Sequence, residues 1–258
     1  MRWIAPGGRH MYSVGSNECA PVWKVLSSTS ALGIQGAALM NPVYGETATV
    51  PYAPNLGSYP VDVQFPVVES ANRFWAIPVI GLTAKIIILL PHVIILTIFE
   101  LLSLLLNLVL WVPVLVTGQY PRWGHTFIGG TVLWRMRYTS FLFGLTDAYP
   151  AFSLSDPGNG REAVILFQAQ PSYSRFFAIP VLGGMVRALM LIPHLIILSV
   201  LSYLVLAVML FTWIPVLSNG QYPNWGRTIV GGYLRWTTRY YMYRFGLADK
   251  YPPFRWTS

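Results

Sequence analysis

The chain repeats itself. Residues 73–152 align with residues 175–254 at a constant offset of 102, without a gap and with 39 of 80 positions identical. "RFWAIPVIG" matches "RFFAIPVLG", "WVPVLVTGQYPRWG" matches "WIPVLSNGQYPNWG", and "FGLTDAYPAF" matches "FGLADKYPPF". Apolar bias alone would produce shared leucines. It would not produce shared Gly-Gln-Tyr-Pro and Trp-Gly. One supersecondary unit is therefore built twice.

Each copy opens on an apolar run. Residues 74–116 are interrupted only by Lys85, Pro91-His92, Glu100 and Asn107. As one helix this run would measure about 64 Å, roughly twice a ~30 Å hydrocarbon core. With 54% hydrophobic and only 10% charged residues, the chain is far from the ~25% charge of soluble domains and reads as a membrane protein. A break is expected at Pro91, which lacks a donor and crowds the preceding turn. The sequence predicts a hairpin with arms over about 74–90 and 92–116, or a first arm tilted in the interface, and the same at Pro193.

After the turn-forming Gly118–Pro121 and Gly220–Pro223, the pattern mixes aromatics with Arg135 and Arg137, and with Arg235, Arg239 and Arg244. Arginine is costly at a bilayer centre, whereas Trp and Tyr favour the headgroup level. These stretches read as amphipathic helices lying on the membrane; the competing reading is a third span whose arginines face protein. Of 17 Lys and Arg, all but Lys85 and Arg187 lie outside the two runs. Hairpins would put those fifteen on one side, cytoplasmic by the positive-inside rule, and would make the repeats parallel.

The expected fold is an all-α, multi-pass integral membrane protein of two tandem parallel repeats. Each repeat is a Pro-broken helical hairpin followed by an amphipathic interfacial helix, with the short extended lead-ins "YPVDVQFP" and "EAVILFQAQP". The expected units are an arm at 1–58, repeat 1 at 59–156 and repeat 2 at 157–258. The arm is rich in Gly, Ser and Pro, shows no secretory-signal pattern, and is expected to gain order on a neighbouring subunit. Its lone Cys19 offers no internal disulfide.

Pro-His in an apolar run, then Gly-Gln-Tyr-Pro, then an arginine-bearing helix closing on "TDAYPAF", resembles a bacterial family of duplicated membrane domains of unknown function. The resemblance covers about residues 59–254. It implies architecture and supplies no catalytic residue.

Candidate chemistry is sparse. His92 and His194 could ligate haem or a chlorophyll-type pigment, or could cap the backbone freed by the adjacent proline. Lys85 and Arg187 are repeat-equivalent cations suited to anionic lipid, or to snorkelling. With Arg135, Arg137, Arg235, Arg239 and Arg244 they form the candidate lipid and anion contacts. A Glu100–Lys85 salt bridge is expected across the hairpin. The formal charge of +8 points to anionic headgroups rather than nucleic acid. The sequence has no CxxC, HExxH, GxSxG or phosphate loop, and His125 gives way to Arg227 in the second copy, against a symmetric metal site.

The expected function is that of a non-enzymatic accessory or scaffold subunit in a bacterial cytoplasmic-membrane assembly, respiratory or photosynthetic in the first instance, contacting lipid and other subunits. The alternatives are a cofactor- or pigment-binding electron- or energy-transfer subunit, and a small transporter.

Overall fold

A computed structural model describes residues 12–13, 19–20 and 59–256, apart from 67, 69, 157–160, 169, 171 and 180. The expectation that residues 1–58 bind a partner lies outside the described residues, save for the short antiparallel pair β1 (Tyr12–Ser13) and β2 (Cys19–Ala20). Repeat 1 contains β3 (Val61–Gln64), a 3₁₀ turn (Arg73–Ala76), α1 (Ile80–Thr117) and α2 (Arg122–Leu142). Repeat 2 contains β4 (Val164–Phe167), α3 (Arg175–Ala178), α4 (Leu182–Met190), α5 (Ile192–Asn219) and α6 (Asn224–Arg244).

The hairpin expected at Pro91 does not form there. α1 runs through both Pro91 and Pro113 without a break. In repeat 2 the helix is jointed at Leu191, whose backbone stays right-handed (φ −85°, ψ −5°) and whose N–H reaches the Arg187 carbonyl at 3.0 Å. An intrahelical proline is tolerated when neighbours satisfy the disturbed backbone. Tyrosines add bonds at the neighbouring carbonyl, one residue on from the one each proline leaves without its donor: Tyr149 Oη donates to the Ile88 carbonyl (3.1 Å), and Tyr251 Oη to that of Met190 (2.9 Å).

The chain reverses at Gly118–Pro121 instead. Gly118 takes a left-handed φ of 71° and returns its N–H to the Val114 carbonyl, and Gly220 repeats this at φ 74°. α2 then runs back along α1: Phe127 meets Phe99, Trp134 meets His92, and Phe141 lies under Lys85. Each repeat is a helical hairpin after all, with its tip at Gly-Gln-Tyr-Pro.

A second correction concerns α2 and α6. They do not lie on a surface but are the innermost helices: Ile128, Leu133 and Phe141 of α2, and Val230, Met242 and Tyr243 of α6, are fully buried. Each packs first on the long helix of its own repeat, and the other repeat covers it further. β3 and β4 pair antiparallel, with Val61 opposite Phe167 and Gln64 opposite Val164. β3 packs on α6 and β4 on α2.

Further contacts between the repeats are reciprocal. Ala71 N–H donates to the Gly220 carbonyl (2.7 Å), and its equivalent Tyr173 to that of Gly118 (2.8 Å). Tyr120 Oη reaches the Phe245 carbonyl (3.5 Å), and Tyr222 Oη that of Phe143 (3.1 Å). Thr238 Oγ1 touches the sulfur of Met136, its own repeat equivalent, at 3.8 Å. Residue i meeting j while j's equivalent meets i's is the mark of an isologous twofold interface.

The long helices lie outside. Ile80–Thr117 and Ile192–Asn219 are long and apolar enough to cross a membrane, and over their most apolar 18 residues only 17% and 22% are buried. A helix serving as the core of a soluble domain would show the opposite burial.

Candidate functional site

Helical phase places each histidine on the inward face of its long helix, His92 with Leu89 and Leu96 and His194 with Leu191 and Leu198, and both rings are fully buried. Trp134 Nε1 donates to His92 Nδ1 at 2.8 Å, and Trp236 Nε1 to His194 Nδ1 at the same distance. Phe152 stacks on the His92 ring at 3.9 Å, and Phe254 on the His194 ring at 4.0 Å. Indole is a donor only, so Nδ1 must offer its lone pair and the neutral ring carries its proton on Nε2. A protonated Nε2 has no lone pair for iron or magnesium. The donor set therefore does not fit haem or a pigment in this arrangement, and the bond each histidine makes to its tryptophan does not cap the backbone before its proline.

The cations expected to contact lipid are mostly engaged within the protein. Arg137, whose side chain is fully buried, lies 3.1 Å from Glu162 and donates to the Ser155 carbonyl at 2.9 Å. Arg235 and Arg239 both face Asp62 at 3.6 Å and donate to β3 carbonyls. Arg135 pairs with Glu100 and stacks over Tyr241. The expected Glu100–Lys85 bridge is thereby replaced, because on a continuous helix those residues stand about 22 Å apart. Arg187 pairs with Asp249, donates to the Tyr243 and Ala248 carbonyls, and lies between the rings of Phe177 and Tyr243.

Two cavities of about 400 and 320 Å³ sit where one repeat's helix tip meets the other's lead-in. Nearly every wall residue of one is the equivalent of a wall residue in the other. The first joins Leu108 and Trp111 of α1 to Phe177 and Met185 of repeat 2, with Arg187 and Asp249 in its wall. The second joins Leu210 and Trp213 of α5 to Trp75 and Thr83 of repeat 1, with Lys85 and Asp147 in its wall. Burial pushes the Asp147 carboxyl up, against the Asn72 N–H and Lys85, which draw it down.

The start of each long helix forms the cavity rim. Val79 and Val181 adopt left-handed φ values of 64° and 61°, and at Val79 a γ-turn closes with Ile80 N–H on the Pro78 carbonyl (2.7 Å). Just beyond, Gly81 and Gly183 let the lead-in cross close overhead: a Cβ would meet the Trp75 carbonyl oxygen at 2.5 Å, or that of Phe177 at 2.2 Å.

Residues 81–153 and 183–255 each match the model of the domain of unknown function DUF4389. The two matches start and end 102 residues apart, the offset at which the chain aligns with itself. The chain belongs to the DUF4389 family. No curated protein and no solved structure matches it. Each DUF4389 unit contains the complete His-Trp-Tyr-Phe cluster, such as His92, Trp134, Tyr149 and Phe152, and one cation–carboxylate pair of a cavity wall. Asp62, which holds Arg235 and Arg239, lies outside both units.

Sequence reasoning missed Trp134 and Trp236, Tyr149 and Tyr251, and Asp147 and Asp249. Each pair is identical at the 102-residue offset. Among the described residues, no group of three or more His, Cys, Asp or Glu gathers as a metal site.

Proposed function

We propose that this DUF4389 protein is a non-enzymatic, membrane-integral scaffold, an accessory subunit of a bacterial cytoplasmic-membrane assembly. The observation that carries this reading is the outer face of α1 and α5, where leucine, isoleucine and valine stand exposed along both helices. Exposed apolar surface on this scale is not stable in water. Lipid, or lipid and partner subunits together, is its natural cover. α1 is about 57 Å long, so it lies tilted or extends beyond the hydrocarbon.

The inward-facing polar groups support the non-catalytic half of the reading. Histidine and tryptophan are engaged with each other inside each hairpin, and Arg137, Arg235 and Arg239 reach carboxylates of the other repeat, so these groups act in holding the fold together. Alkaline carbonate washing of membranes tests the integral reading: the protein should remain with the bilayer and leave it only in detergent. Release into the wash would reject it. Native electrophoresis after mild solubilisation tests the scaffold reading, which predicts migration within a larger assembly and is contradicted by migration as the lone chain.

A further inference from the structure

The two cavities share their architecture but not their charge. In the cavity with Lys85, the charged wall residues are Lys85 and Asp147, so the formal charges cancel. In the other, Arg187 and Asp249 pair, and a further cation, Arg244, also lines the wall. Arg244 is half-buried, and among the described residues it makes no hydrogen bond, ion pair or ring contact. Its repeat equivalent is Leu142, which lines the neutral cavity. One cavity of about 400 Å³ therefore carries one uncompensated positive charge.

We propose that this cavity binds one anionic phospholipid, with its phosphodiester on the Arg244 guanidinium and an acyl chain along the wall. A guanidinium presents a planar fork of donors that matches a phosphate in both charge and geometry. Burying such a cation partly without a partner is unfavourable, and a single phosphodiester charge balances the cavity. Leu104, Leu108 and Met185 line the cavity and are exposed on the outer apolar surface, so a chain can enter from the bilayer without crossing polar ground. The proposal rests on the membrane-integral reading above.

Native mass spectrometry of the detergent-purified protein with added phosphatidylglycerol, phosphatidylcholine or inorganic phosphate tests it. The expected result is one retained phosphatidylglycerol per chain, favoured on the order of tenfold over phosphatidylcholine, whose choline cation cancels the net charge that the cavity would otherwise gain. Arg244→Leu should abolish that preference, and Arg244→Lys should keep most of it. Leu142→Arg should create a second phosphatidylglycerol site, a gain that misfolding cannot mimic. An unchanged preference in Arg244→Leu, or no second lipid in Leu142→Arg, would overturn the proposal. Displacement of the lipid by equimolar inorganic phosphate would also overturn it, assigning the site to free anions. Carbonate extraction of the same membranes separates the two ideas. A protein that resists the wash but binds lipid without regard to Arg244 keeps the membrane reading and loses this one.

Discussion

Trp134 and Trp236 each spend their single N–H on a histidine across their hairpin. Replacing either by Phe leaves a buried Nδ1 acceptor without its donor, at a cost of about 1–3 kcal/mol. The two variants should lower thermal stability in detergent by similar amounts, and little change in either would argue against the pairing. His125 makes a different prediction. Packed against Tyr120 and Phe167, it is pushed down to about 3 by burial, from an ordinary value of 6.5. Between those values the unfolded chain binds a proton that the folded chain refuses. His125 therefore contributes its full stability above about pH 6.5 and loses it as pH falls toward 3, by about 1.4 kcal/mol per unit. Melting temperatures from pH 7.5 to 5 should fall more steeply in the wild type than in His125→Phe; parallel slopes would contradict this.

At the scale of elements, the informative residue is Pro91. A helix that continues through it predicts that Pro91→Ala is neutral or stabilising, since it restores a donor inside α1. Gly118→Val, at a left-handed position, should cost about 1–2 kcal/mol. A hairpin turning at Pro91 would reverse the order, so the two melting curves decide between them. This comparison also marks the limit of the sequence. The duplication was legible because identical tryptophans, glycines and prolines recur at one offset, and the turn at Gly-Gln-Tyr-Pro was legible from its chemistry. The persistence of α1 was not, because the Tyr149 hydroxyl that steadies the proline turn lies 61 residues from Ile88. The inward place of α2 and α6 was hidden for the same reason. Their arginines find carboxylates such as Asp62 and Glu162 in lead-ins that no helical period connects to them. The cavities, built between the repeats, were beyond the reach of either repeat's pattern.

At the scale of the whole molecule, the lead-ins are exchanged: β3 covers α6, β4 covers α2, and each lead-in closes on the other repeat's helix tip. Residues 59–156 and 157–258 produced separately should therefore aggregate, and should associate when produced together. A well-folded single repeat would contradict the exchange. The most direct measurement is a cross-link between repeats. In a Cys19→Ser background, cysteines at Ala71 and Asn219, or at Tyr173 and Thr117, flank the reciprocal backbone hydrogen bonds at Gly220 and Gly118. A protease site introduced between residues 157 and 160, together with a short bis-maleimide, reports on each pair. The interlocked twofold predicts that both pairs hold the cleaved halves of one chain together in denaturing gels. Cross-linking of neither pair, or only between different chains, would contradict it.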